Sequence, residues 1–459
     1  MCEISPLDGR YRERLSELPE IFSEYALMRE RCLVELAYLE ALDDVAASHT
    51  TLFASLSTPE RERINAMRAE FGEDEFHRIK RIEAATNHDV KACEIFLRER
   101  LALDDPNRIH FGLTSEDINN LAYGRLLERY RTEIQLPQLR RLIATLADRA
   151  ERWKSVAFPA RTHGQPASPT TLGKEHAVFL SRLLRQAKQI ESFHFRGKLS
   201  GATGTHAACA VAFPEFDWLG FSERFVGSLG LDPNPCTTQI EDHDTLAEYF
   251  AIVLRINGIV ADLDRDLWLY ISHGDLVQRV VDGEVGSSTM PHKVNPIRFE
   301  NSEGNVTIAN ALLCALAEKL PRSRMQRDLS DTTAKRNIGV ALAHAYLAVE
   351  ETLRGLDRID VDEAALRMKV ESTPEVLAEA YQTILRTAGI EDPYELLRNL
   401  TRGETITLES LHAWVDGLDV PEDVAKRLKA LRPEQYVGLA PEIGERVVSR
   451  ARSWLAGAN

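Results

Sequence analysis

The chain has 459 residues, of which 44% are hydrophobic and 28% are charged, the composition of a globular protein large enough to bury extensive cores. Its net charge of −15 at pH 7 disfavours nonspecific binding to nucleic acid or to an anionic membrane, because phosphate neutralisation needs surplus Lys and Arg. The six cysteines lack CxxC or zinc-type spacing, no apolar run can span a bilayer and the N-terminus lacks a signal-peptide pattern, so we expect a cytoplasmic protein with reduced thiols.

Residues 1–104 contain short helical patterns that are interrupted at Pro19, Pro59 and Gly72. They predict an N-terminal helical domain. The tail, residues 358–459, has five prolines between short amphipathic segments and predicts a small C-terminal helical domain. These prolines are Pro374, Pro393, Pro421, Pro433 and Pro441.

Long helical patterns fill the central region, residues 105–357. The clearest runs from Leu246 to Tyr270, where apolar residues recur in steps of three and four along about 37 Å, at about 1.5 Å rise per residue. Four further patterns cover residues 119–153, 170–198, 306–320 and 342–356. In the first of them, Pro137 predicts a kink because it removes a backbone donor.

Five long helices in one region predict a bundle with shallow crossing angles. No alternation typical of strands and hairpins competes with the helical pattern. The fold class is therefore predicted to be all-α, with three helical domains and a central long-helix bundle. The apolar stripes also favour a closed homo-oligomer, in which a helix faces a sister chain as well as its own core.

Two polar segments precede the long helices. In TNHDVKA, residues 86–92, His88 and Lys91 share a helical face, and either a solvated amphipathic helix or a functional histidine explains them. In LTSEDINN, residues 113–120, Thr114 and Asp117 match a capping box. Capping alone explains that pattern, although hydroxyl groups beside free amides also suit an anion.

A third polar segment, RTHGQPA at residues 161–167, places His163 before a glycine and just upstream of the 170–198 helix. Histidine is the side chain best suited to proton transfer near neutral pH. A histidine in a loop is also often structural or merely exposed, and the residues alone leave both interpretations open.

The most helix-hostile segment is GSSTMPHKVNP, residues 286–296. Asn295 and Pro296 match the N-cap and first residue of a helix that starts near Ile297. A helix N-terminus offers free amides to an anion, and Lys293 adds a positive charge, so the segment suits a carboxylate. An ordinary interhelical loop with a capping Asn is the alternative.

The segment SRMQRDLSDTTAKRN, residues 323–337, gathers basic side chains and hydroxyls that suit a phosphate or dicarboxylate. A polar helix junction explains it equally well. GATGTH, residues 201–206, has no GK[ST] and is not a P-loop, and the sequence has no HExxH or Rossmann fingerprint. Neither a metal nor a dinucleotide cofactor is therefore predicted.

Taken with the other motifs, GSSTMPHKVNP resembles the signature loop of the fumarase/aspartase superfamily, all-α homotetramers that eliminate fumarate from succinyl-containing substrates. The His in MPHKVNP is similar to that of the adenylosuccinate lyase family, whereas fumarases tend to carry Gly and argininosuccinate lyases Gln. Four more motifs resemble the longer bacterial branch of that family: DGRY at 8–11, TTLGKE at 170–175, TTQIEDHD at 237–244 and FENSEGN at 299–305. The resemblance spans from about residue 5 to the end of the chain.

The resemblance implies a β-elimination without a cofactor. Adenylosuccinate gives AMP and fumarate, and succinylaminoimidazole carboxamide ribotide gives its carboxamide and fumarate. By position, Ser287 resembles the base and His163 the acid for the leaving nitrogen, while His88 resembles a second histidine that supports the first or holds phosphate. Lys293 and backbone amides would stabilise the serine alkoxide, and a closing loop would exclude water. General chemistry alone favours a histidine as the base, so the serine assignment depends on the resemblance.

The resemblance also implies nucleotide and succinyl contacts and a homotetramer whose active sites are shared between subunits. These contacts are Arg10, Tyr11, Asn87, His88, Asp89, Thr114, Ser115, Gln239, Ser288, Lys293, Val294, Asn295, Asn301, Arg327, Thr332, Thr333, Ala334, Lys335 and Arg336. One departure is TTAKR at 332–336, where the family tends to have apolar residues before the final Arg. Lys335 is therefore expected either to point to solvent or to alter the phosphate contact.

Two alternatives remain at this stage. One is a lyase of the same superfamily that acts on another succinyl or aspartyl substrate, and the other is a helical scaffold without chemistry. Loss of Ser287, His163 or Lys293 would favour the scaffold, but all three residues are present.

Overall fold

The computed structural model describes residues 4–48, 53–279, 294–401 and 406–457. Ser287, Ser288 and Lys293 lie outside these ranges, so their assigned roles stay predictions. Among the described residues, no helix combines the length and the apolar character needed to cross a membrane.

The described residues form a predominantly helical protein, as predicted. The first ten helices are α1 Pro19–Phe22, α2 Glu24–Ser48, α3 Thr58–Glu70, α4 Glu73–Thr86, α5 Asp89–Leu101, α6 Ser115–Arg129, α7 Leu136–Arg152, α8 Leu172–Glu191, α9 Ala207–Ala212 and α10 Trp218–Ser228. The next ten are α11 Asp244–Ser272, α12 Ile297–Lys319, α13 Ser330–Lys335, α14 Ile338–Leu356, α15 Glu363–Glu371, α16 Ala378–Thr387, α17 Pro393–Thr401, α18 Leu408–Asp416, α19 Glu422–Ala430 and α20 Ala440–Ala456. Short 3₁₀ helices lie at Arg12–Leu15, Pro106–Arg108, Pro374–Leu377 and Pro433–Gln435.

The strands of the described residues are short and pair two by two. They are β1 Ala157–Thr162, β2 Gln165–Thr171, β3 Arg196–Gly197, β4 Asp232–Pro233, β5 Val277–Gln278 and β6 Ile359–Asp360. The β1–β2 and β5–β6 pairs are antiparallel, and β3–β4 is parallel. The sequence did not predict the β1–β2 hairpin. As a result, α8 covers Leu172–Glu191 rather than residues 170–198, and β3 follows it.

The predicted heptad pattern forms the buried face of α11. Tyr249 and Val260 are fully buried, and Leu246, Val253, Ile256, Leu263 and Leu267 are each at most 8% exposed. Tyr270, at the C-terminal end of the pattern, is only partly buried. The burial follows from the spacing, because residues three and four apart line one side of a helix.

Pro137 lies in the first turn of α7, directly after a π-helical segment, Tyr130–Gln135. In that segment the helix carries one more residue per hydrogen-bonded turn, and the amide of Leu136 bonds to the carbonyl of Arg131. The π-helical segment thus ends two residues before Pro137, and the kink at the proline stays a prediction.

The prolines and glycine that interrupt the terminal patterns lie at helix starts. Pro19 opens α1, Pro59 lies in the first turn of α3, and Gly72 is the N-cap of α4. The five C-terminal prolines likewise lie at or beside the start of a helix or 3₁₀ helix. Proline is tolerated there because the first amides of a helix have no partner within it.

The chain divides into two compact units that are each discontinuous in sequence. The first comprises residues 1–138, 188–258 and 304–348, and the second comprises residues 139–187, 259–303 and 349–459. The first unit contains a core of α2 to α5 side chains, and the second contains a C-terminal core around Leu377, Tyr381 and Leu428. The division into domains at 1–104, 105–357 and 358–459 stays a prediction.

Candidate active site

The second unit presents His163 at the tip of the β1–β2 hairpin. Thr162 pairs with Gln165, so His163 and Gly164 are the two loop residues. Both have positive φ, 53° and 78°, as a type I′ turn requires to match the twist of its strands. The imidazole is exposed at this tip, where a substrate atom can reach it.

The last three residues of GSSTMPHKVNP, residues 294–296, also lie in the second unit. Helix α12 begins at Ile297, and the carbonyl of Pro296 accepts a hydrogen bond from the amide of Phe299 at 3.1 Å. The helix thus begins directly beside the predicted pair Asn295 and Pro296, and the assignment of Asn295 as its N-cap stays a prediction. Val294, Asn295 and Asn301 lie around this helix start.

The first unit places His88 at the N-terminus of α5 as its capping residue. The imidazole Nδ1 accepts a hydrogen bond from the amide of Lys91 at 3.1 Å, and the side chain is 50% exposed. The position was predicted to lie on a helical face with Lys91, but His88 caps the helix instead. Asn87, just before it, ends α4 in the left-handed conformation, with φ 53°.

Asp89 connects α5 to two arginines. Its carboxylate lies 2.9 Å from Arg31 Nη1 and 3.6 Å from Arg336 Nη2. Burial alone would raise the pKa of Asp89, but the charges of Arg31 and Arg336 outweigh it and lower the pKa. A cavity of about 190 Å³ adjoins this group. Its polar lining includes Ser23, Glu24, Arg31, Asp89, Lys335 and Arg336.

Thr114 is the N-cap of α6, as predicted. Its amide donates to Asp117 Oδ2 at 2.9 Å. Asp117 is fully buried and also lies 2.8 Å from the ammonium of Lys198, while Ser200 and Gly201 donate backbone amides to it. The buried Asp117 thus joins the start of α6, beside Thr114, to residues 198–201.

Gln239 lies close to the 323–337 segment. Its backbone N–H donates to the carbonyl of Gln326 at 3.3 Å, and its side-chain Nε2 donates to the carbonyl of Ala202 at 2.9 Å. Arg327 follows next in that segment and donates to both carboxylate oxygens of Asp331, at 2.9 and 3.0 Å, and to Thr332 Oγ1 at 3.2 Å.

Lys335 points inward, so of its two predicted alternatives the solvent-facing one was wrong, and the altered phosphate contact stays a prediction. Its side chain is 1% exposed and its ammonium lies 2.6 Å from Glu116 Oε1 and 2.9 Å from Asp331 Oδ2. Burial would lower the pKa of Lys335, but the two carboxylates raise it above its usual value. The amine is therefore charged and committed to these partners.

His243 is a buried residue that sequence reasoning did not single out. Its Nδ1 lies 3.5 Å from Glu241 and its Nε2 lies 3.7 Å from Asp331. Burial alone would lower the pKa of His243, but these two carboxylates outweigh burial and raise it. The segment TTQIEDHD contains one of these two partners, Glu241, and could have suggested a buried histidine. The other partner, Asp331, is distant in sequence and could not have been found from this segment.

The first unit thus holds most of the predicted contacts. Asn87, His88 and Asp89 lie at the start of α5, and Thr114 and Ser115 lie at the start of α6. Gln239 precedes α11, Arg327 precedes α13, and residues 332–336 form the rest of α13 and its C-cap. Arg10 is exposed and Tyr11 partly buried, just before the 3₁₀ helix Arg12–Leu15. His163, Val294, Asn295 and Asn301 belong to the second unit.

The fold is that of the fumarate lyase class of enzymes. The structure matches a fumarate lyase from Mesorhizobium sp. BNC1 with a TM-score of 0.78 and 18% identity, covering 95% of this chain and 97% of that one. It matches 3-carboxy-cis,cis-muconate lactonizing enzyme from Pseudomonas putida with a TM-score of 0.77 and 22% identity, covering 96% and 97%. A lyase family model matches residues 9–309.

The finer assignment comes from the C-terminal region and from full-length relatives. An adenylosuccinate lyase C-terminal model matches residues 323–437. Adenylosuccinate lyases from Haemophilus influenzae and Escherichia coli K12 are each 46% identical, covering 97% and 96% of this chain and 99% and 97% of theirs. One from Dictyostelium discoideum is 42% identical over 96% of this chain and 97% of its own. The chain belongs to the adenylosuccinate lyase family.

Proposed function

We propose that the protein is a C–N lyase that eliminates fumarate from adenylosuccinate, giving AMP, and from succinylaminoimidazole carboxamide ribotide, giving the carboxamide. The observation that carries this proposal is the 46% identity to adenylosuccinate lyases along nearly the whole of both chains. The fold alone would not carry it, because one lyase fold serves several substrates.

In the proposed reaction, Ser287 removes a proton from the succinyl carbon next to the one that bears the nitrogen. The electron pair forms the double bond of fumarate, the carbon–nitrogen bond breaks, and His163 protonates the leaving nitrogen. The position of His163 supports this role, since a rigid two-residue turn holds its imidazole exposed. Lys293 would stabilise both the serine alkoxide and the extra negative charge on the succinyl group.

The basic residues of the first unit are proposed to bind the anionic groups of the substrate. Arg336 supports this assignment because its side chain is 59% exposed beside the cavity that Asp89 and Arg31 line. His88 would contribute from the start of α5. No step in this scheme requires a cofactor or a metal.

The assay is direct. Purified protein is mixed with adenylosuccinate or with the ribotide, and fumarate is measured with time. Release of fumarate from both is expected. Failure with both purine substrates, or faster turnover of argininosuccinate, malate or aspartate, would reject the proposal.

We also propose that the protein is a cytoplasmic homotetramer with shared active sites. Large apolar side chains exposed on the long helices support self-association: Val178, Trp268, Leu269 and Ile308 are 38–48% exposed in the single chain.

A further inference from the structure

A buried charge cluster lies in the first unit, formed by Glu116, Glu241, His243, Arg327, Asp331 and Lys335. Glu116, Asp331 and Lys335 have side chains that are 5%, 3% and 1% exposed. Charges at such depth are costly unless they are paired, so the arrangement of partners decides what the cluster can do.

Glu116 and Asp331 are each shared by two cations. Lys335 contacts both carboxylates from the buried side, at 2.6 and 2.9 Å. Arg327, with 21% of its side chain exposed, contacts the same two from the surface side, at 3.6 and 2.9 Å. Of these two cations, Arg327 is the more exposed, so its guanidinium is the one that an anion can approach from the surface side.

The charges of this arrangement balance. Lys335 and Arg327 offset Glu116 and Asp331, while the raised pKa of His243 favours a charged imidazole beside Glu241. Without the ammonium of Lys335, one negative charge would remain next to Arg327. That charge would repel an anionic ligand and would draw the guanidinium inward.

We propose that Lys335 is a positioning residue: it neutralises Glu116 and Asp331 from the buried side and so keeps Arg327 oriented and able to bind an anionic oxygen of the substrate. The inference rests on the proposed function, which supplies the substrate. A phosphate of the nucleotide and a carboxylate of the succinyl group are the two sources of such an oxygen.

A competing role for the cluster is metal binding. Ligand atoms of Glu116, His243 and Asp331 lie within 4.8 Å of one another. However, the ammonium of Lys335 lies at hydrogen-bond distance from both carboxylates, and a divalent cation at that position would be repelled by it. The ammonium of Lys335 therefore occupies the place beside Glu116 and Asp331 that a metal ion would need.

The test replaces Lys335 with Met, which keeps the length and removes the charge. We expect KM for adenylosuccinate to rise by roughly tenfold or more, as when a charge-assisted hydrogen bond is lost, and kcat to change by less than about threefold. Calorimetric titration of the full-length protein with AMP and with fumarate then identifies the anion, since only the ligand that Arg327 binds should weaken.

Two further variants separate charge from packing. Lys335→Met combined with Glu116→Gln makes the cluster neutral again, so KM and the Kd of AMP should return toward the wild-type values. Arg108→Met is the matched control, because it also breaks a buried ion pair, that with Asp43 at 3.1 Å, but touches neither Arg327 nor its partners. It should lower the melting temperature without raising KM.

The outcomes are distinguishable. If wild type releases no fumarate from either purine substrate, the proposed function fails. If wild type is active but the Lys335→Met variant keeps the wild-type KM and the wild-type Kd for both ligands, the positioning role is wrong. A double variant as weak as the single one would also overturn it. Should Lys335→Met fail to fold, Lys335→Gln, which retains an amide donor for Glu116, takes its place.

Discussion

The backbone conformation of His163 determines where the proposed acid is held. His163 adopts φ 53°, a region that most side chains avoid but that Asn and His enter more readily than others. An alanine at this position would therefore change the turn as well as the chemistry. The informative substitution keeps the turn and removes only the proton donor.

For that reason we predict the outcome of His163→Asn. The variant should keep its melting temperature within a few degrees, because Asn suits a type I′ turn, while kcat should fall about 10²–10⁴-fold through loss of the general acid. Steady-state kinetics and thermal melts measure the two effects. Unchanged kcat would contradict the assignment of His163 as the acid.

Ser287→Ala should have a similar effect on kcat. Removal of the hydroxyl eliminates the proposed base but adds no bulk or charge, so a loss of several orders of magnitude with unchanged AMP affinity is expected. Single-turnover kinetics and AMP titration check it. A Ser287→Ala enzyme that retains substantial turnover would require a different base.

Asp264, a buried carboxyl group on α11, predicts a pH effect on stability. It is 1% exposed, and Thr352 donates to both of its oxygens at 2.9 and 3.0 Å. Burial raises the pKa of Asp264 to about 8, despite these hydrogen bonds. The folded state thus holds this proton more tightly than the unfolded state, whose carboxyl group titrates near its usual pKa of about 4.

Accordingly, the contribution of Asp264 to stability is complete below pH of about 4 and is lost as pH rises toward about 8. Asp264→Asn has no such proton to lose. The melting temperature of the variant should therefore rise relative to that of wild type between pH 5 and pH 8. A difference that is constant across this range would show that Asp264 does not titrate as described.

At the scale of elements, close helix contacts depend on glycines. A Cβ on Gly173, in the first turn of α8, would lie 2.4 Å from the carbonyl oxygen of Ala150 and 2.6 Å from the Cα of Lys154. Both atoms belong to the backbone, in α7 and just after it. A backbone atom cannot move aside as a flexible side chain can. The start of α8 is therefore fixed against the end of α7 by the absence of a side chain.

We predict that Gly173→Ala lowers the free energy of unfolding by about 1–3 kcal/mol through overpacking. Gly258→Ala is the matched control, since nothing lies within 4 Å of its Cβ position in α11. That substitution should be neutral or stabilise by up to about 1 kcal/mol, because alanine favours the helix. Urea unfolding compares the two variants, and equal effects would contradict the prediction.

Helix α11 was predictable from the sequence, whereas the β1–β2 hairpin was not. The pattern of α11 predicted its buried face, because a helical period is a local property. The β1–β2 hairpin escaped because its strands contain Pro159, Pro166 and Pro169 and little alternation, so its pairing is weakly encoded. One of the two partners of Lys335 escaped for another reason: Glu116 lies 219 positions away, and no local pattern specifies a distant ion pair.

At the scale of the molecule, the two units are assembled from segments distant in sequence. Each of α7, α8, α11, α12 and α14 contributes residues to both units. The predicted division by consecutive segments stays a prediction beside this one, and helices near both termini form cores of their own. The site residues are divided in the same way, and sequence alone could not tell which of them lie in one unit.

The proposed assembly predicts a mass in solution of four times the 51.7 kDa chain. Ile308, 48% exposed on α12, provides a variant. Ile308→Glu should shift the protein toward smaller species in sedimentation velocity, because a charge would be buried at an interface. A wild-type protein that sediments as a monomer would contradict the assembly.

The bond from the amide of Lys91 to Nδ1 of His88 has a chemical consequence. While that bond persists, the other ring nitrogen, Nε2, carries the hydrogen of the neutral imidazole and has no free lone pair. His88 can then recognise only atoms rich in electrons, such as oxygens of an ester or acid. Electrophilic reagents that attack imidazole should modify it slowly until the start of α5 frays.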